Sequence, residues 1–85
     1  MSTSTQDALA AIWAEVLRLD HVGRDDDFFA MGGNSLQAVR MAALVHERLA
    51  IEPPLQDLFA YRTLAQFAGR LDLAADGGAG EEGAI

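Results

Sequence analysis

Between Ala8 and Leu19 the apolar residues Leu9, Ile12, Trp13, Val16 and Leu17 recur at the spacing that places them on one face of a helix. Ser4 and Asp7 precede this run as a capping box with Asp in place of Glu, which predicts a helix start near Thr5. From Asp20 to Asn34 the periodicity disappears, and the stretch holds Gly23, Asp25 to Asp27, Phe28, Phe29, Gly32 and Gly33. Loops of this length in small domains are functional or disordered; the adjacent phenylalanines argue for a structured loop pinned to the core. A second helix is expected from Ser35 to Leu49, entered through Asn34 with Gln37 three residues on. Pro53 and Pro54 prevent its continuation, so Leu55 to Ala60 can form at most a short helix presenting Leu55, Leu58 and Phe59. Thr63 and Gln66 cap a last helix through Leu71 that buries Leu64, Phe67 and Leu71.

No stretch alternates like a strand and none repeats, so the expected fold is all-α: a small bundle of three longer helices and one short one. Residues 1–4 are expected to be a disordered N-terminus, residues 5–73 the domain, and residues 74–85 a flexible acidic, Gly-rich tail.

Composition narrows the function classes. With 85 residues the chain can build one modest core, too small to surround a deep catalytic cavity. Thirteen acidic residues stand against six basic ones, all arginines spread singly, which argues against nucleic acid as a partner. The absence of cysteine excludes disulfides and thiolate metal ligation. The start, MSTSTQD, has neither a basic nor an apolar leader region, and no apolar run reaches membrane-spanning length, so a soluble cytoplasmic monomer is the expectation.

The chemically suggestive residue is Ser35, at the first turn of the second helix after Gly32, Gly33 and Asn34. A phosphate on that hydroxyl would face free backbone N–H groups and the positive end of the helix dipole, and the glycines would let another protein approach closely. The plain alternative is that Asn34 and Ser35 only cap a helix, and the short string GGNSL does not choose between the two.

The longer pattern does. IWAEVLRLDHVGRDDDFFAMGGNSLQAVRM, the proline break and PLQDLFAYRTLAQFAGRL resemble, in order, the peptidyl carrier (thiolation) domains of non-ribosomal peptide synthetases from Leu9 to Leu71. The resemblance implies that a phosphopantetheinyl transferase, using Mg²⁺ and coenzyme A, attaches 4′-phosphopantetheine to Ser35 within the motif Gly32, Gly33, Asn34. It further implies that an adenylation enzyme loads an amino acid or acyl group on the arm, and that condensation or tailoring enzymes act on it. The chain itself would contribute no catalytic residue and no metal site. Partner recognition would fall on Met31, Leu36, Val39, Arg40 and Ala43; because the second helix is apolar nearly all round, ordinary core packing is the alternative for Val39 and Ala43. The mixed charges of that helix, Arg40, His46, Glu47 and Arg48, fit the peptidyl class better than the fatty-acid class. Asn34 stands where the family often has histidine or aspartate, which leaves the subtype open, and the Met start suggests a free-standing carrier.

Three rival readings are weaker. A serine hydrolase needs G-x-S-x-G between strand and helix, but Gln37 replaces the second glycine and no strand precedes Ser35. His46 and Glu47 begin a zinc motif that Ala50 breaks, and Asp25 to Asp27 lack the spacing of a calcium loop, so a solvated acidic loop is expected there. A helical docking module without a covalent arm would bind through its apolar second helix and make no use of the serine.

Overall fold

The computed structural model describes the backbone of residues 4–84 and the side chains of residues 4–75. Three α-helices, α1 (Thr5–Leu17), α2 (Ser35–Leu49) and α3 (Leu64–Ala84), pack with one 3-10 turn, Leu55–Phe59, and no strand forms among the described residues. The helix-bundle expectation therefore holds.

Each helix starts where the sequence pattern placed it. Ser4, grouped above with the N-terminal segment, is the N-cap of α1, its Oγ accepting from the Asp7 N–H at 3.1 Å. Asn34 Oδ1 accepts from the Gln37 N–H at 2.9 Å and so caps α2. At α3 the capping box is reciprocal: Thr63 Oγ1 accepts from the Gln66 N–H, and Gln66 Oε1 accepts from the Thr63 N–H. Two further donors of the α3 first turn are satisfied by the long loop, Leu64 N–H by the Asp26 carbonyl and Ala65 N–H by the Arg24 carbonyl.

The end of α2 falls at Leu49, as expected, whereas α3 runs past its expected end. α2 stops four residues before Pro53 because Ala50 adopts a left-handed conformation (φ 57°) and its N–H returns to the His46 carbonyl. The backbone of α3 continues through Ala84, past the end expected at Leu71 and into the segment expected to be a flexible tail. Helix formers, Leu71 to Ala75, follow without a proline, while the apolar face does end: Leu73 is exposed. Residues 1–3 of the expected disordered N-terminus, and Ile85 of the tail, lie outside the described residues. No helix of the described residues is long and apolar enough to cross a membrane.

The core is apolar throughout. Leu9, Ile12, Trp13 and Leu17 from α1 meet Ala38, Met41 and Val45 from α2 and Leu64, Phe67, Ala68 and Leu71 from α3, with Leu58 from the 3-10 turn and Val22 and Phe28 from the loop. Across the outside, Arg48 of α2 reaches Glu15 of α1 at 2.9 Å with both carboxylate oxygens engaged.

Ala50 pays the steric cost of a left-handed residue with a Cβ. Replacing Ala50 with Gly is expected to stabilise the domain by about 0.5–1 kcal/mol in urea unfolding, with an unchanged m-value.

Candidate functional site

The loop between α1 and α2 is held by its aromatic pair. Phe28 is fully buried, meets Trp13 edge-on at 5.0 Å between ring centroids, and donates its N–H to the Arg62 carbonyl at 2.9 Å. Phe29 lies half-buried beside it, edge-on to Phe28 and stacked at 5.4 Å on Phe59 of the 3-10 turn, with the Arg62 guanidinium over its ring. Both phenylalanines thus pin the loop, one from inside the core and one from its border.

The acidic run beside them is only partly solvated. Asp27 Oδ1 accepts from the N–H groups of Phe29 and Ala30, and its Oδ2 faces Arg62 Nε at 3.1 Å. Asp26 Oδ2 accepts from the Gly23 N–H at 2.7 Å. Only Asp25 matches the solvated carboxylate expected for the whole run; the other two replace missing partners of turn N–H groups, a use that composition does not reveal.

From Asp27 the chain folds through consecutive turns: Met31 N–H to the Asp27 carbonyl, Gly32 N–H to the Phe29 carbonyl and Gly33 N–H to the Phe28 carbonyl. The two glycines serve different ends. Gly32 has a positive φ of 102° with open space around it, so its role is conformational. Gly33 is steric: a Cβ there would lie 2.4 Å from a Phe28 ring carbon and 2.7 Å from the Phe28 carbonyl oxygen.

This turn delivers Ser35 to the surface as the first residue of α2. The N–H groups of Gln37 and Ala38 are taken by Asn34, through its side chain and its carbonyl. Those of Ser35 and Leu36 have no acceptor among the described residues. They form, with the helix dipole, a ready place for a phosphate on the serine oxygen. Gln37 does not complete a capping box, and its Oε1 is enclosed without a donor.

Around Ser35 the candidate recognition residues sort clearly. Leu36 and Val39 are 64% and 56% exposed, Arg40 and Ala43 are exposed, and Met31 is half-buried against the core. Core packing is therefore not the role of Val39 or Ala43; Ala38, Met41 and Val45 supply the inner face. The pattern misleads at Phe59, which the sequence grouped with Leu58 but which is 61% exposed. A run of apolar residues in a 3-10 turn carries no periodicity that would separate inner from outer positions.

His46 is eleven residues beyond Ser35 along the same helix, about 16 Å at the helical rise, and faces Glu52 at 3.8 Å, while His21 lines a groove beside α1. The arrangement offers an exposed hydroxyl at the positive end of a helix, beside two N–H groups without acceptors among the described residues.

Residues 7–71 match the family described as the phosphopantetheine attachment site. The chain belongs to that family. Its members bear covalent phosphopantetheine and tether substrates without catalysing their reactions, and this chain has the function of a peptidyl carrier domain. It is 53% identical over 74 residues to malpibaldin synthetase of Mortierella alpina, covering 87% of this chain and 1% of that protein. The carrier domain thus corresponds to a small segment of that large relative. Among solved structures, BlmI, a type-II acyl-carrier protein of Streptomyces verticillus involved in bleomycin biosynthesis, superposes with a TM-score of 0.75 at 36% identity, covering 81% of this chain and 83% of that one. A chain of the complex of the phosphopantetheine transferase Sfp with coenzyme A and a peptidyl carrier protein superposes with a TM-score of 0.77 at 36% identity, covering 86% and 95%.

Because Gly33 has Phe28 where a side chain would go, Gly33→Ala is expected to destabilise the carrier domain by roughly 1–3 kcal/mol, the usual cost of overpacking. Gly32→Ala should cost about 1 kcal/mol, from backbone conformation alone. Urea unfolding gives both values, and the Trp13 near-ultraviolet signal should change for Gly33→Ala only, since Phe28 packs on that indole.

Proposed function

We propose that Ser35 is the attachment residue and that the carrier domain receives its arm there from a phosphopantetheinyl transferase. The observation that carries this reading is the exposed Ser35 hydroxyl beside two N–H groups without acceptors, on a turn fixed by Phe28 and Gly33. Ser35 Oγ attacks the pantetheine-bearing phosphorus of coenzyme A; a P–O bond to the serine forms, the bond to the adenosine bisphosphate portion breaks, and the serine proton passes to a base of the transferase. The N–H groups of Ser35 and Leu36 then hold the phosphodiester oxygens. The arm, once attached, supplies a terminal thiol for thioester formation.

An adenylation enzyme loads that thiol with an amino acid or acyl group, and condensation or tailoring enzymes take it up. Leu36 and Val39, apolar and exposed, support a docking surface beside Ser35 for these enzymes, flanked by Met31, Arg40 and Ala43. Phe59, stiffened by its stack on Phe29, supports an extension of that surface onto the 3-10 turn. Gly32, Gly33 and Asn34 act by shaping the turn. The domain works as a cytoplasmic monomer, and its tether raises the effective concentration of the cargo at each partner.

Incubation with coenzyme A, Mg²⁺ and a broad-specificity transferase should add one phosphopantetheine mass to the wild-type chain and none to Ser35→Ala. A folded wild type that gains no mass overturns the assignment. Leu36→Ala should lower kcat/KM for the modification about tenfold, the loss of roughly 1–2 kcal/mol of buried contact, with the unfolding midpoint unchanged.

A further inference from the structure

Arg62 lies between the 3-10 turn and α3, and it makes three links to the loop that precedes Ser35. Its carbonyl accepts the Phe28 N–H at 2.9 Å, its Nε faces Asp27 Oδ2 at 3.1 Å, and its Cζ stands 5.3 Å from the centroid of the Phe29 ring. Only the first of these belongs to the main chain. The Arg62 and Asp27 side chains are 50% and 29% exposed, so their ion pair is partly in water and contributes little as a stabilising contact.

The Phe29 ring that Arg62 covers is the ring on which Phe59 stacks, at 5.4 Å between centroids and 14° between planes. Phe59 closes the 3-10 turn and is 61% exposed, while its neighbour Leu58 is fully buried. Phe29 is in turn edge-on to Phe28 at 5.4 Å, and the Phe28 ring bears on Gly33, two residues before Ser35. Two ring contacts and one backbone contact therefore connect Phe59 to the turn that presents the serine, a span within one partner footprint of about 800 Å². The 3-10 turn is braced again at Asp57, whose Oδ2 accepts from Arg70 Nε at 3.1 Å. An exposed aromatic ring that is already fixed in place loses little freedom when a partner covers it, which favours its use as an anchor.

We propose that Arg62 is a positioning residue for the phosphopantetheinyl transferase: it holds the Phe29 ring against Phe59, so that Phe59 stands as a fixed anchor for that enzyme. The proposal rests on Ser35 as the attachment residue and adds to it a contact outside α2. Arg62 acts through Phe29 and Phe59 and not on the serine, so its loss should weaken binding of the transferase without slowing transfer. A residue that only braced the loop through Phe28 and Gly33 would disturb Ser35 whether or not Phe59 were present. One that acts through Phe59 has no further effect once Phe59 is gone.

The test measures kcat and KM for modification of the 85-residue chain by intact mass, with coenzyme A, Mg²⁺ and a broad-specificity transferase. Phe59→Ala should raise KM for the carrier about tenfold and Arg62→Ala about threefold, both with kcat unchanged. The double variant should match Phe59→Ala alone at about tenfold, against about thirtyfold for independent effects. Phe29→Leu, which keeps Arg62 and Asp27 in place and removes the stacked ring, should raise KM about as much as Arg62→Ala. In both of these single variants the Phe59 ring protons should move toward the resonance positions of an unstacked phenylalanine. Wild-type KM in Phe59→Ala or Phe29→Leu, a double variant near the thirtyfold product, or a fall in kcat in place of a rise in KM would overturn the proposal. A wild type that gains no mass overturns the assignment of Ser35 itself, and this proposal with it.

Discussion

The contact on which the turn before Ser35 depends is that between the Phe28 ring and the bare backbone of Gly33. Phe28 is the only residue of the described loop that joins the aromatic centre of the core, through Trp13, while also forming the surface on which the turn before α2 rests. Its carbonyl takes the Gly33 N–H and its own N–H goes to Arg62, just before α3. One side chain thereby ties α1, the loop, the start of α2 and the approach to α3 together. A buried aromatic of this size contributes about 3–5 kcal/mol, a large fraction of the stability of an 85-residue domain.

Helix positions were read from the sequence with few errors because both signals involved are local. Ser4, Asn34 and Thr63 bond to N–H groups three residues on, and the spacing of Leu9, Ile12, Trp13 and Leu17 needs only a regular helix. Helix ends and surface assignments depend on neighbours that are distant in sequence. The end of α2 was read correctly at Leu49 although the left-handed Ala50 lacks the glycine that usually marks such a cap, whereas α3 has no stop signal after its apolar face ends. Val39 and Ala43 could have faced either way until α1 and the 3-10 turn were seen to cover the opposite side of α2.

At the candidate site the same division holds. The motif gave Ser35 and its glycines, but not why each glycine is needed: a backbone angle at Gly32, an aromatic ring at Gly33. Nor did the run Asp25 to Asp27 reveal that two of its carboxylates stand in for backbone acceptors and so build the loop instead of decorating it. Phe59 shows the limit most plainly: it is exposed and stacks on Phe29, thirty residues earlier in the chain.

The loop also caps α3, where the carbonyls of Asp26 and Arg24 take the Leu64 and Ala65 N–H groups. The mount that presents the serine is consequently cross-braced at both ends by main-chain atoms, whose geometry is indifferent to side-chain identity on the outer faces. Stiffness and recognition are thus assigned to separate atoms. The outer residues of α2 and of the 3-10 turn can be exchanged while Ser35 stays where the backbone puts it.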